Sequence, residues 1–233
     1  MKLEQTNRII IKIGSALLFN ETSGSLNKEW LNSLAEDVKY LRENDKEVII
    51  VSSGAIAMGA KDLDLDMKNM KMDMNQAVSA VGQIHLMGSF KSAFEKNEIK
   101  ISQILLTLDD TEQRRRSINA RRTIDTLLKL GIVPVVNEND TIATSEIRYG
   151  DNDRLASRVA QITSADCLIL LSNINGLYSA DPSTDEDVKL INKVSEIDKD
   201  IEKMIGQSIS DYGKGGMKTK IQAAKTAMLS GCH

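Results

Sequence analysis

The chain is predicted to fold as an α/β protein around a mostly parallel sheet covered by helices on both faces. Three observations predict this. Short β-rich runs at 8–14 ("RIIIKIG"), 47–54, 100–107, 131–140 and 166–173 are apolar at consecutive positions, as strands buried on both faces must be. Helical stretches at 27–43, about 72–97, 115–130, 152–164 and 216–230 alternate with them, which requires parallel pairing through crossovers. Strand after strand closes on small or polar residues: Gly14-Ser15, Ser52-Ser53-Gly54, Asn137-Glu138-Asn139-Asp140 and Ser172-Asn173. Open α/β sheets bind ligands at the carboxyl edge of their strands, so these ends are expected to converge on one site.

A chain of 233 residues is long enough for a full core, and one domain spanning 1–233 is expected. No apolar run approaches the roughly 20 residues that span a bilayer, so no membrane role is expected. The start of the chain carries no signal-peptide apolar stretch, and two cysteines, Cys167 and Cys232, make neither a disulfide framework nor a metal knuckle. A reducing, cytoplasmic setting follows. Net charge is −3 and only 3% of residues are aromatic, which argues against nucleic acid as a partner. The basic cluster Arg114, Arg115, Arg116, Arg121 and Arg122 is read as a solvated helix face or a subunit contact. His85 and His233 lack partners at ligand spacing, so no structural zinc is expected. The Met-rich stretch 63–76 is read as a loop and helix start packing adaptable side chains rather than a partner surface.

The strand ends carry the chemistry. Lys12 stands just before Gly14-Ser15; it either snorkels at the surface or is aimed at an anion, because a lysine inside a sheet is costly unless paired. Gly14 permits the close backbone approach that phosphate oxygens need. "SSGAIAMG" (52–59) is a strand, a small-residue turn and a helix start whose N–H groups and dipole favour a carboxylate or phosphate. "NEND" (137–140) and "GDND" (150–153) gather carboxylates, which hold an ammonium, and amides, which hold a carboxylate; together they suit a zwitterion. "GLYSADP" (176–182) is a structured loop beyond the same edge. "GKGGMKTK" (213–220) is not a phosphate loop of the G-x-x-x-x-G-K-[ST] kind, since Tyr212 and Met217 stand where its glycines belong. Glycines at a helix entrance with Lys220 one turn in nevertheless offer N–H donors and a mobile cation to a polyphosphate.

In that order and spacing, "IIIKIGS", "VSSGAIAMG", "AVGQ" (80–83), "VVNEND", "GDND", "GLYSADP" and "GKGGMKTK" resemble the glutamate 5-kinases of the amino-acid kinase superfamily, over about residues 8–231. The resemblance implies a three-layer α/β/α sandwich that uses ATP with Mg²⁺ to phosphorylate the γ-carboxylate of L-glutamate, the first step of proline synthesis. It implies feedback inhibition by proline and a homo-oligomer. Carried over by position, it puts Lys12 and Lys220 on the phosphoryl group in transfer, with Asp153 organising the lysines. Ser53, Gly54, Asn137, Asp140 and Asn152 would bind glutamate. Gly14, Ser15, Ser172, Asn173 and the run Lys214, Gly215, Gly216, Met217, Lys218, Thr219 would join the two lysines in binding ATP.

The chain departs from the family pattern at Ser172-Asn173, usually Thr-Asp, and at Lys214, usually Thr. The family's kinase domain continues past "AMLSGCH" and many members add an RNA-binding-like PUA domain, so a truncated or naturally short form without PUA is expected. Two alternatives stand beside the kinase reading: another carboxylate or carbamate kinase of this fold, and a catalytically silent amino-acid or nucleotide sensor. Retention of Lys12, Asp153 and Lys220 argues against the sensor, and Asp140 favours a substrate with a free ammonium.

Overall fold

A computed structural model describes residues 2–20, 24–68, 70–143, 152–180, 188–199, 201–202 and 216–233. Among them five strands, β1 (Arg8–Ile13), β2 (Glu47–Val51), β3 (Ile101–Leu106), β4 (Val133–Glu138) and β5 (Cys167–Leu171), form one sheet. The order is β3-β4-β2-β1-β5 and every pairing is parallel, as the doubly apolar runs require. The main helices are α2 (Lys28–Glu43), α4 (Met72–Glu95), α6 (Arg114–Lys129), α7 (Asn152–Thr163) and α8 (Met217–Leu229), within two residues of the expected stretches. Three shorter ones, α1 (Ser15–Leu18), α3 (Ala55–Asp62) and α5 (Leu108–Glu112), fill connections. The strands stop short of the expected runs because Gly14, Ser52 to Gly54, Asn139-Asp140 and Ser172-Asn173 leave the ladder as loops and helix starts.

Side-chain alternation divides the core into two. Ile9, Ile11, Ile13, Val48, Ile50, Val133 and Val135 face α2 and α4, packing with Leu31, Leu34 and Val38 on one and Leu86, Phe90 and Phe94 on the other. Ile10, Ile49, Val51 and Val136 face α6, α7 and α8, with Ile124, Leu155, Val159 and Ala227. Lys12 continues the series of Ile10, so the two-residue period of a strand aims it at the α7–α8 layer. Beside the core, α3 and α4 touch backbone to backbone. A Cβ added at Gly59 would lie 1.9 Å from the Val78 carbonyl oxygen, and one at Gly82 would lie 1.8 Å from that of Ala55.

Two expectations need correction or completion. In the Met-rich stretch Met70 packs as expected, against Ile56, Ala60 and Val78, whereas Met67 on the α3–α4 connection and Met72 and Met74 in the first turn of α4 are 52%, 43% and 47% exposed. The arginine cluster lies on α6, with Arg116 3.0 Å from Asp110 and Arg121 3.6 Å from Asp125. Cys167 and Cys232 are free, and burial pushes the Cys232 thiol up to about 12, in keeping with a reduced structural residue. Among the described residues no helix is long and apolar enough to cross a membrane.

Candidate active site

The carboxyl ends of the strands surround a cavity of about 200 Å³. Lys12 enters it from the end of β1, and Gly14 and Ser15 from the turn into α1. Gly14 donates its N–H to the Leu171 carbonyl at 3.3 Å, which keeps that turn against β5. Ser172 and Asn173 line the β5 side.

Ser53 and Gly54 belong to the next wall. Ser53 Oγ donates to the Ile13 carbonyl at 2.8 Å and joins the ends of β1 and β2. Gly54 caps α3 at φ +93°, and a side chain there would meet the Phe19 ring at 2.5 Å, so glycine is required for both conformation and space. The first turn of a helix leaves N–H groups without intrahelical partners, and Ala55, Ile56 and Ala57 of α3 line the cavity. That wall suits an anion.

Asn152, the first residue of α7, crosses between two strand ends: its Nδ2 donates to the Ser52 carbonyl and, at 2.9 Å, to Asn137 Oδ1. Asn137 Oδ1 also accepts the Glu138 N–H at 2.9 Å, so both its lone pairs are used. Asn152 Oδ1, by contrast, is buried without a hydrogen-bond partner among the described residues. Asp140 reaches the same cavity and its Oδ2 accepts from Ser79 Oγ at 2.5 Å.

Behind the cavity lies Asp153, fully buried. Lys12 Nζ is 2.6 Å from its Oδ1 and Lys220 Nζ is 2.9 Å from its Oδ2. The three side chains are 6%, 0% and 14% exposed in the order Lys12, Asp153, Lys220. One carboxylate therefore holds two ammonium groups at the cavity. Thr219 adds to this cluster, its Oγ 3.4 Å from Asp153 Oδ2 and 2.8 Å from the Gly216 carbonyl at the α8 entrance.

Of the residues expected to bind ATP, Met217, Lys218 and Thr219 form the first turn of α8 and do not line the cavity, and Lys218 is exposed. Lys214 and Gly215 lie outside the described residues, as do Gly150 and Asp151 of "GDND" and the Asp-Pro of "GLYSADP". Sequence reasoning missed Ser79, Gln76, Phe19 and Met67. Ser79 and Gln76 carry no local signal, because their partners at 140 and 143 are distant in the chain.

The "AVGQ" stretch now has a structural basis. Its glycine, Gly82, is the contact point of α4 with α3. Its glutamine, Gln83, is 8% exposed, and neither Nε2 nor Oε1 has a hydrogen-bond partner among the described residues. A buried amide in that condition costs about 1–3 kcal/mol of desolvation. Gln83→Met, of similar shape and apolar, is expected to raise the unfolding temperature by about 2–4 °C for each kcal/mol regained. Calorimetry checks it, and a lowered midpoint would mean that the amide is satisfied.

A parallel α/β sheet with a paired-lysine cluster and a mixed polar cavity at its carboxyl edge defines an α/β protein of the kind that places a small-ligand site at the ends of its strands. The chain belongs to the amino acid kinase family, whose model matches residues 7–233. Glutamate 5-kinase of Pelagibacter ubique is 59% identical over 233 residues, covering 100% of this chain and 63% of that protein. Glutamate 5-kinase of Ruegeria sp. is 52% identical over 230 residues, covering 99% and 62%. The chain thus spans about three fifths of the length of these curated relatives. Among solved structures, UMP kinase from Ureaplasma parvum superposes with a TM-score of 0.61 at 17% identity, and isopentenyl phosphate kinase from T. acidophilum with 0.63 at 15%; each alignment covers 96% of this chain and 87% of the other. Those two likenesses concern the fold.

Proposed function

We propose that the chain catalyses transfer of the γ-phosphoryl group of ATP to the γ-carboxylate of L-glutamate, giving γ-glutamyl phosphate and ADP in a reducing cytoplasm. The observation that carries this reading is the Lys12–Asp153–Lys220 cluster at the cavity that also holds Asp140 and Asn152. A carboxylate oxygen of glutamate forms the new bond to phosphorus while the bond to the β-phosphate oxygen breaks and its electron pair leaves with ADP. The nucleophile is already ionised, so no general base is required; Asp153, the carboxylate nearest the lysines, is held by one of them on each oxygen and is unsuited to that role. Lys12 and Lys220 lie where charge spreads over the moving phosphoryl group, and positioning with cations supplies the catalysis.

In this reading the α3 N-terminus, with Ser53 and Gly54, receives the substrate's α-carboxylate, while Asp140 and Asn152 Oδ1 accept from its ammonium; Asn137 holds Asn152 in place. Gly14, Ser15, Ser172, Asn173 and the 214–220 run hold the nucleotide. Mg²⁺ would enter with ATP, held largely by its phosphates and by water, as this ion usually is at nucleotide sites. The 50-odd per cent identity to glutamate 5-kinases supports glutamate over another carboxylate or carbamate.

The test is ADP release coupled to hydroxylamine trapping of the acyl phosphate, with L-glutamate, L-aspartate and N-acetylglutamate as acceptors. Turnover with glutamate alone is the expected result; none with any acceptor would favour a silent sensor. The same assay with added proline, and light scattering of the chain, check proline inhibition and a homo-oligomer. Asp140→Asn is expected to raise the glutamate KM on the order of tenfold or more with the ATP KM little changed, since a charge-assisted hydrogen bond contributes about 1.5–3 kcal/mol. An unchanged glutamate KM would remove Asp140 from the site.

A further inference from the structure

We propose that Ser79 positions the Asp140 carboxylate and thereby sets affinity for the amino-acid substrate from outside the cavity; this rests on the reading of Asp140 given above. Ser79 lies on α4, is 1% exposed and does not line the cavity. Its Oγ donates to Asp140 Oδ2 at 2.5 Å. A serine within a helix ordinarily turns its hydroxyl back to a carbonyl of the preceding turn. Here the hydroxyl spans to a carboxylate 61 positions along the chain.

The segment it reaches is tied to α4 at a second point as well. After β4 the backbone leaves the ladder and turns on itself, with Ile142 and Ala143 both donating to the Asn139 carbonyl at 3.1 Å. One turn earlier on α4, Gln76 Nε2 donates to the Ala143 carbonyl at 3.1 Å. Residues three apart share a helix face, so α4 grips this turn at two points, one on its backbone and one on its carboxylate. With one oxygen of Asp140 tied to a rigid helix, the plane of the carboxylate is set before substrate arrives, and the ordering cost is removed from binding.

The test compares Ser79→Ala with Ser79→Thr, which keeps a hydroxyl, in the wild-type and Asp140→Asn backgrounds. Ser79→Ala is expected to raise the glutamate KM by about tenfold, with kcat and the ATP KM within about twofold, because a hydrogen bond to a charged group is lost from binding alone. Ser79→Thr is expected to recover most of the loss. In the Asp140→Asn background Ser79→Ala should add little, since it acts through the same carboxylate. An unchanged glutamate KM, or effects that multiply in full in the double variant, would overturn the proposal. If the wild-type chain forms no γ-glutamyl phosphate, the functional reading has failed separately. Denaturant unfolding of the same variants then decides: coupled losses keep Ser79 as the anchor of Asp140, and additive losses remove it.

Discussion

Lys220→Ala is expected to lower kcat by about 10²–10³-fold while leaving the KM for glutamate and for ATP within a small factor, the signature of an interaction made chiefly in the transition state. The expectation follows from geometry: Lys220 Nζ is 2.9 Å from Asp153 Oδ2 and the residue lines the cavity. Lys220→Arg should recover little, because a guanidinium is larger and fixed in its fork whereas an ammonium is a compact charge able to follow the moving group. Asp153→Asn should show the same kcat loss together with a folding cost of about 3–5 kcal/mol, since it strips two largely buried lysines of their shared carboxylate. Because the three side chains act as a unit, the Asp153→Asn, Lys220→Ala double variant should lose less than the product of the single effects. Steady-state kinetics on the four proteins decides it. A Lys220→Ala variant of near-normal kcat would reduce "GKGGMKTK" to a loop.

Gly82→Ala is expected to be the most damaging of the small substitutions, at about 3 kcal/mol or more, beyond the usual range for overpacking because the clash is with backbone. The new Cβ would stand 1.8 Å from the Ala55 carbonyl oxygen and 2.5 Å from the Gly59 nitrogen, neither of which can rotate away. Only separation of α3 from α4 relieves it, and Ala55 lies at the cavity, so the glutamate KM should rise as stability falls. Gly88 supplies the control: it is on the same helix, a Cβ there meets nothing within 4 Å, and Gly88→Ala should stabilise by up to about 1 kcal/mol. Denaturant unfolding of the two variants should give opposite signs. Equal, small effects would show that the helices separate at little cost.

The parallel sheet and its layers could be read from the sequence because β1, β2 and β4 are apolar at successive positions and buried on both faces, a pattern that few other structures tolerate. Lys12 was harder: its run admits either a snorkelling or a paired lysine, and only the arrival of Asp153 from α7 decides between them. The polar strand ends indicated where the cavity lies, but not how its lining is wired. Ser79 holding Asp140, and Gln76 holding the Ala143 carbonyl, depend on where α4 crosses the end of β4, a tertiary fact with no local imprint. The glycine of "AVGQ" likewise looks ordinary in a helix until α3 is laid against it.

The ion cluster also bears on how the chain reaches its native state. Lys12 sits on a strand flanked by β2 and β5 and is 5% exposed once folded, yet Asp153 and Lys220 come from the second half of the sequence. A chain that has made only β1, α2 and β2 still lacks Asp153 and Lys220, so these ion pairs at the end of β1 require α7 and α8. Contacts between such distant segments are the slow ones in folding. The three charges meet only when these distant segments have come together, and a partly folded chain holds them apart.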